Sequence, residues 1–158
     1  MAKGIVTPEL IEQLKAIVGE KYVYTDKDKL EPYSHDEVTD PHYMREPQVV
    51  VLPANTEEVA KVVKLCYDND TVMVPRAAGT GLAAGAVATF GGVIISIERM
   101  NKILEIDKQN MVCVTEPGVT TAVLQEEVQK EGLFYGGDPC SGDSCFIGGN
   151  VATNAGGS

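Results

Sequence analysis

The sequence contains no tryptophan, only two histidines and few basic residues. No apolar run approaches the ~20 residues of a membrane-spanning helix, and Met1–Gly4 leads into an amphipathic segment and not into a signal peptide. The 13 Lys and Arg face 23 Asp and Glu, which gives a net charge of −10. This charge argues against nucleic acid and anionic membranes, because both select basic patches. We therefore expect a cytoplasmic protein with no transmembrane segment and no nucleic-acid partner.

Cysteine is also scarce, with four residues and no CxxC pair. Without an export signal, reduced thiols are the expectation. Cys140 and Cys145 have acidic neighbours, yet they meet no structural zinc pattern, and we assign no metal. Cys66 and Cys113 lie on apolar faces of predicted elements, so we expect them in the core.

The chain of 158 residues is long enough for one domain with a core. Residues 132–158 hold eight of the 16 glycines, and the sequence stops inside this segment. A natural domain seldom ends where nothing can cap an element. We therefore expect the N-terminal piece of a longer protein.

Residues 1–47 are predicted to form one helix and an irregular arm. Thr7 and Pro8 supply an N-cap and a first-turn proline, and apolar residues then recur at helical spacing until Gly19. Residues 20–47 are polar and contain three prolines. The arm segment Tyr33–Asp36 carries polar and ionisable groups. We interpret them as turn and capping groups, because a lone pair of neighbouring His and Asp residues does not make a catalytic arrangement.

Strands and helices alternate from residue 48 onwards. Val49–Leu52 predicts a buried strand, Asn55 begins a helix that ends near Asp70, and Val72–Val74 predicts a second strand. Because a helix connects the two strands, they should run parallel. A third helix is predicted from Thr120 to about Gly132. Further strands are predicted at 93–97, 103–107, 111–115 and 133–135. The predicted fold class is α+β, α/β-like at its start, with a small parallel or mixed sheet flanked by helices.

The loop Pro75–Ala86 follows the second strand and is the first candidate site. Its glycines permit positive φ, so consecutive N–H groups can turn toward one point and hold an anion. No charged side chain occurs between Ala77 and Ile97. Backbone and hydroxyl groups must therefore hold any phosphate here, with Arg76 at most flanking it. We expect a diphosphate cradle at the carboxyl end of a strand.

A second glycine-rich segment, residues 136–157, has paired glycines at 148–149 and 156–157. Asn150, Thr153 and Asn154 add neutral hydrogen-bonding groups. Two small-residue loops that are poor in charge suit a long dinucleotide with a pyrophosphate and a large ring. The alternative, in which these glycines only serve turns and tight packing, stays open.

The segment Gly79–Ala84 also matches the GxGxxG/A pattern of dinucleotide-binding folds. Glu98 follows an apolar strand at nearly the distance expected of a ribose-binding acid, so a nicotinamide-dependent Rossmann oxidoreductase is an alternative. A Rossmann helix should begin at this loop and run ~three turns. Residues 82–92 instead contain three glycines and no polar face, which weighs against this alternative.

Several segments, in this order and spacing, resemble the FAD-binding domain of the vanillyl-alcohol-oxidase type, also called PCMH-type. They are Val51–Val59, Pro75–Leu82, Glu116–Val119, Asp138–Pro139 and Ile147–Gly157. Within that family the chain is similar to the group that contains flavin-dependent glycolate oxidase and D-lactate dehydrogenase. The resemblance implies that residues 48–158 hold the first subdomain and the start of the second, with the cap domain beyond residue 158.

The resemblance also implies where FAD would bind. The 76–82 loop would wrap the pyrophosphate, and the segments 138–139 and 148–157 would line the ribityl and isoalloxazine parts. Some relatives attach the flavin through a His near the position of Thr80, or through a Cys near Cys145; neither match is present, so non-covalent FAD is expected. The implied cofactor-binding residues are Arg76, Ala77, Ala78, Gly79, Thr80, Gly81, Leu82, Gly85, Ala86, Asp138, Pro139, Ser144, Gly148, Gly149, Asn150, Thr153, Asn154 and Gly156.

The family's reaction is the oxidation of a small 2-hydroxy acid such as D-lactate or glycolate, with hydride passing to flavin N5. The resemblance places the substrate residues beyond residue 158, so no catalytic residue is assigned and the 158 residues alone are expected to be inactive. An electron-transferring flavoprotein or an iron–sulfur subunit is implied as a partner by resemblance only. A non-catalytic flavin or electron-transfer subunit is the remaining alternative.

Overall fold

The first helix, α1 (Pro8–Val18), forms where its capping residues predict it. The Leu10 amide donates to the Thr7 hydroxyl at 3.2 Å, and Gly19 ends the helix with a φ of 92°. Leu10, Leu14 and Val18 are buried on one face. This computed structural model describes residues 5–157, which divide into two compact units, one ending at Arg99 and one beginning at Met100. The domain boundary predicted between residues 47 and 48 stays a prediction.

The arm at residues 20–47 contains more regular structure than its polarity predicts. A two-residue strand, β1 (Val23–Tyr24), pairs antiparallel with a later strand, and a short helix, α2 (Lys27–Leu30), follows. Short 3-10 turns cover Glu20–Tyr22, Glu31–Tyr33 and Pro41–Tyr43. The prediction of a wholly irregular arm was therefore wrong, because elements of two to four residues are too short to show a period.

The first unit is built on a four-stranded mixed sheet with the order β1–β2–β4–β3. The βαβ unit forms as predicted, with β2 at Val49–Val51, the helix α3 at Thr56–Asp68 and β3 at Met73–Arg76. The strand β4 (Val93–Ser96) lies between β2 and β3 and is parallel to both. The predicted parallel relation is thus confirmed through an intervening strand.

Alternating side chains on the central strands form two cores, one on each face of the sheet. Val49 and Val51 pack with α1 and α3, whereas Val50 packs with Leu30 and Ile94 on the opposite face. This is the period of two that a strand imposes. Each fully buried valine or isoleucine contributes ~1.5–3 kcal/mol relative to an exposed one. The sheet is therefore packed on both faces, and the loops that follow its strands start from a rigid element.

The second unit has a two-stranded antiparallel sheet and two helices. β5 (Ile103–Asp107) pairs with β6 (Val112–Thr115), and α4 spans Thr121–Lys130. Their inward residues form a third core cluster with a buried isoleucine of the last helix. These two strands and the helix confirm the sequence prediction.

Two predictions in the second unit were wrong. Residues 133–135 form no strand, and Leu133 and Tyr135 instead pack against the third cluster. Residues 148–153, predicted as a loop, lie in the helix α5 (Ile147–Thr153). Paired glycines usually disfavour a helix. Gly148 is accommodated because a β-carbon there would lie 2.6 Å from Cβ of Pro117, so the close packing requires glycine.

Candidate functional site

The loop that follows β3 has no regular structure from residue 77 to residue 92. It does not open a helix, which a Rossmann fingerprint requires. Glu98, the predicted ribose-binding acid of that alternative, accepts hydrogen bonds from the Tyr33 hydroxyl at 2.5 Å and the Ser96 hydroxyl at 3.0 Å. The geometry of residues 77–92 therefore does not match a nicotinamide-binding Rossmann unit.

The backbone amides in the first part of this loop, residues 77–86, are not used by the described part of the protein. Within residues 5–157, no hydrogen-bond acceptor is found for the N–H groups of residues 77–86. The loop nevertheless has fixed ends, because the Val87 amide donates to the carbonyl of Ala84 at 3.3 Å and both Val87 and Ala88 are buried. Unpaired amides on an anchored loop are the donors that an anion-binding nest needs.

Glycine serves different purposes at different positions of the loop. Gly79 has a φ of 75°, and a β-carbon there would collide with the Arg76 guanidinium, so the protein's own conformation requires glycine. Gly81 and Gly85 have no positive φ, and a β-carbon at either would meet no atom within 4 Å. Neither conformation nor packing explains these two glycines. Close approach of a ligand to the main chain would explain them.

The predicted residues of this loop differ in exposure. Leu82 is 79% exposed, and Gly81 and Gly85 are also exposed. The half-buried members are Ala77, Ala78, Gly79, Thr80 and Ala86. A small-residue surface with open main chain is thus presented outward, and Thr80 offers the one side-chain hydroxyl among residues 77–86.

Arg76 is buried beneath the loop and does not point outward as a flanking charge. It is 7% exposed, and its Nη1 and Nη2 donate to the carbonyls of Ala86 at 3.1 Å and Pro32 at 3.2 Å. Its guanidinium carbon lies 5.5 Å from the centre of the Tyr33 ring. Burial lowers the pKa of Arg76 below its ordinary value, and the attraction of nearby acidic groups opposes this shift.

Two further acidic groups lie in the same part of the first unit. Burial, followed by the hydrogen bond to Glu98, raises the pKa of Tyr33, so its hydroxyl stays a donor at neutral pH. Asp36 is 5% exposed; its Oδ1 accepts from the Val38 amide at 3.0 Å, whereas its Oδ2 has no partner within the described residues. The predicted turn role of the Tyr33–Asp36 segment is supported at Asp36 by this contact.

In the second unit, several predicted residues interact with the protein itself. The side-chain amide of Asn150 donates through Nδ2 to the Thr121 hydroxyl at 2.6 Å, and that hydroxyl lies 3.3 Å from the Cys145 sulfur. The Thr153 hydroxyl donates to the carbonyl of Gly149 at 2.9 Å. Asn150 is buried, and its bond to Thr121 connects α5 with α4, whereas the Thr153 bond lies within α5. Sequence reasoning missed Thr121, whose position at the start of α4 was its only signal.

The remaining predicted residues of the second unit lie in irregular structure or at the end of α5. Asn154 ends α5 in the left-handed conformation, and the Asp138 amide donates to the carbonyl of Gly156 at 3.0 Å. Pro139 is buried, whereas Ser144 is exposed and donates to the carbonyl of Ser141 at 3.3 Å. A β-carbon on Gly156 would meet no atom within 4 Å. The ligand contacts of these residues stay predictions.

The cysteines and acidic residues give no sign of a metal centre. All four cysteines are free thiols; Cys66 and Cys145 are buried, Cys113 is half-buried and Cys140 is exposed. Within residues 5–157, no group of three or more His, Cys, Asp or Glu side chains could hold a metal ion. Over the same residues, no helix is both long and apolar enough to cross a bilayer.

Comparisons with known proteins identify relatives that span nearly the whole chain. A family model described as an FAD binding domain matches residues 47–158. The chain is 46% identical over 153 residues to a D-lactate dehydrogenase of Anaerostipes hadrus, covering 96% of this chain and 31% of that protein. It is 36% identical over 154 residues to the glycolate oxidase subunit GlcD of Bacillus subtilis (strain 168), covering 97% and 32%.

A solved structure of alkyldihydroxyacetonephosphate synthase matches with a TM-score of 0.87 and 26% identity, covering 98% of this chain and 33% of that one. The present chain therefore spans about a third of the length of these relatives.

Proposed function

This chain belongs to the FAD-binding domain family, of the PCMH type, within the group of D-lactate dehydrogenase and the glycolate oxidase subunit GlcD, and from this we propose that the whole protein is an FAD-dependent oxidoreductase of small 2-hydroxy acids. The predicted α+β fold with a small mixed sheet is confirmed. Bound FAD would supply the hydride acceptor for the substrate's α-carbon.

The observation that carries this proposal is the set of unpaired amides on residues 77–86. A pyrophosphate needs several hydrogen-bond donors, and this loop offers unpaired amides without any charged side chain. The open positions at Gly81 and Gly85 leave room for a ligand against the main chain. The loop therefore fits the diphosphate part of FAD, and we assign Ala77–Ala86 as its binding loop.

The second unit contributes the other proposed FAD residues, at 138–139 and 148–156. The side chains of Asn150 and Thr153 each donate a hydrogen bond within this unit, and Asn150 is buried. Gly156 leaves open space beside the main chain. We propose that these residues line the ribityl and isoalloxazine parts.

Non-covalent attachment of FAD is proposed because the chain lacks an available nucleophile at the expected positions. Thr80 stands where a histidine would be needed. Cys145 is 2% exposed, and its sulfur lies 3.3 Å from the Thr121 hydroxyl, so a flavin could not reach it without disrupting α4 and α5. Precipitation of the whole protein in acid should therefore release all of its flavin into the supernatant.

The substrate we propose is D-lactate, with glycolate as the second candidate, because the relatives named above carry these activities in their names. The general base and the cation that binds the substrate carboxylate are expected in the part of the protein beyond these 158 residues. An electron-transferring flavoprotein or an iron–sulfur subunit is proposed as the physiological electron acceptor.

The whole protein tests the proposal. Purified protein should show flavin absorption bands, and anaerobic addition of D-lactate should bleach them, whereas L-lactate should not. Steady-state turnover with an artificial dye as acceptor would rank D-lactate against glycolate and longer D-2-hydroxy acids. A flavin that no hydroxy acid reduces would favour the alternative of a non-catalytic electron-transfer subunit. A colourless protein that binds NAD would overturn the proposal.

A further inference from the structure

Arg76 connects the two ends of the glycine loop with the arm that precedes β2. The side chain leaves the end of β3 and donates to the carbonyl of Ala86, at the far end of the loop. The second guanidinium nitrogen donates to the carbonyl of Pro32 in the arm. The planar fork of arginine can bind two carbonyls at once, which a lysine ammonium does less rigidly.

The arm contacts the loop at one further point, and it also packs against Arg76 itself. The Glu37 amide donates to the carbonyl of Gly81 at 3.0 Å, in the middle of the loop. The Tyr33 ring lies beside the guanidinium, and the Tyr33 hydroxyl is held by Glu98. Residues 32–37 thus contact both the loop and Arg76. They lie outside residues 47–158, which the family model matches.

The surroundings of Arg76 argue against a direct role in binding phosphate. Within the described residues it has no ion pair, and both of its side-chain hydrogen bonds go to backbone carbonyls. Burying a cation is costly, and the attraction of the nearby acidic groups Asp36 and Glu98 offsets part of this cost within the protein itself. Gly79 packs so closely on the guanidinium that any side chain there would displace it. The charged guanidinium therefore lies inside the protein, where its hydrogen bonds help to set the conformation of the loop.

We infer that Arg76 is a positioning residue that clamps the loop 77–86 to the arm, so that the free amides converge on the FAD pyrophosphate without help from the arginine charge. This inference rests on the proposed function. It also adds residues 32–37 to the proposed cofactor site, because Arg76 and the loop are both hydrogen-bonded to this part of the arm.

The test compares three variants of the whole protein. Arg76→Lys keeps the charge and Arg76→Gln removes it, and neither side chain offers the rigid planar fork that holds both carbonyls. Arg99→Gln is the matched control, because Arg99 is partly buried and also donates to a backbone carbonyl, that of Leu52, at 2.7 Å. Its guanidinium carbon lies 3.2 Å from the centre of the Tyr22 ring. Each is measured by hydrogen exchange without FAD and by FAD titration at several salt concentrations.

Without FAD, both Arg76 variants should lose protection at the Glu37 amide while α4 keeps its protection; Arg99→Gln should leave Glu37 unchanged. Both Arg76 variants should bind FAD about tenfold to hundredfold more weakly, which corresponds to ~1.4–2.8 kcal/mol. The salt dependence of Kd should equal that of the wild type, because no charge contact to the phosphates is lost.

Two results would overturn the clamp. In the first, Arg76→Lys binds FAD with wild-type affinity, whereas Arg76→Gln loses much of its affinity for FAD and its Kd depends less on salt. That pattern would indicate that the charge of Arg76 binds the phosphates directly. The other is unchanged exchange at Glu37 in both variants. If the wild-type protein bound no FAD, the proposed function would fail, and the exchange measurement would still decide the clamp.

Discussion

The sharpest prediction concerns alanine at Gly81 or Gly85, because the structure separates the effect on the fold from the effect on the ligand. A methyl group at either position would meet no protein atom within 4 Å, and neither residue needs a positive φ. Gly→Ala at such sites stabilises a protein by ~0.4–1 kcal/mol, because the unfolded chain loses conformational freedom. We therefore expect the melting temperature without FAD to stay the same or to rise.

The same methyl group should weaken FAD binding. If the pyrophosphate lies against the main chain, the added carbon occupies the ligand's space and separates the phosphate from its amide donors. We expect Kd for FAD to rise about tenfold or more in each variant, or ~1.4 kcal/mol. The assay is a titration of FAD-depleted whole protein, followed by flavin fluorescence, beside thermal unfolding of the same samples.

Gly132 gives the reverse control. It has a φ of 76° and open space around its β-position, so alanine there strains the backbone and touches nothing. Gly132→Ala should lower stability by ~1–2 kcal/mol and leave FAD affinity unchanged. The reasoning is refuted if Gly81→Ala and Gly85→Ala bind FAD like the wild type, or if they weaken binding only in proportion to a loss of stability.

Three further predictions concern the fold. Thr121→Val should destabilise the protein by ~1–3 kcal/mol in urea unfolding, because it leaves the buried Asn150 amide without its acceptor; an unchanged midpoint would show that this bond is dispensable. Leu14→Ala should cost ~2–5 kcal/mol, since Leu14 is fully buried, whereas Tyr67→Ala, at a 78% exposed position, should stay within ~0.5 kcal/mol. Burial raises the pKa of Cys66 to about 11. A thiol in an unfolded chain has a pKa of ~8.5. The contribution of Cys66 to stability should therefore be fully present below that pH and be lost as the pH rises toward about 11, and Cys66→Val should flatten this fall.

Local signals in the sequence were sufficient for the elements that have a clear period or cap. Thr7 begins α1 and Gly19 ends it, because each acts on backbone groups that are close to it in the sequence. The three consecutive valines of β2 predict a strand that is buried on both faces. The position of β4 between β2 and β3 was not predictable in this way. A connecting helix determines that two strands are parallel, but strand order depends on contacts between distant residues.

The candidate site shows the same division. The absence of charge and the glycines of the 77–86 loop are visible in the sequence, and they predict an anion nest. The different roles of the glycines depend on contacts across the loop. Gly79 leaves room for the Arg76 guanidinium, whereas Gly81 and Gly85 face open space. The helix at Ile147–Thr153 was missed because paired glycines favour a loop, and only the close approach of Pro117 accounts for Gly148.

A structure of the whole protein with FAD bound would show which groups hold the pyrophosphate. We expect pyrophosphate oxygens within ~2.7–3.2 Å of several backbone nitrogens of residues 77–86, with Arg76 still bonded to the carbonyls of Pro32 and Ala86. Pyrophosphate oxygens held by lysine or arginine side chains, with the amides of residues 77–86 facing solvent, would contradict this expectation.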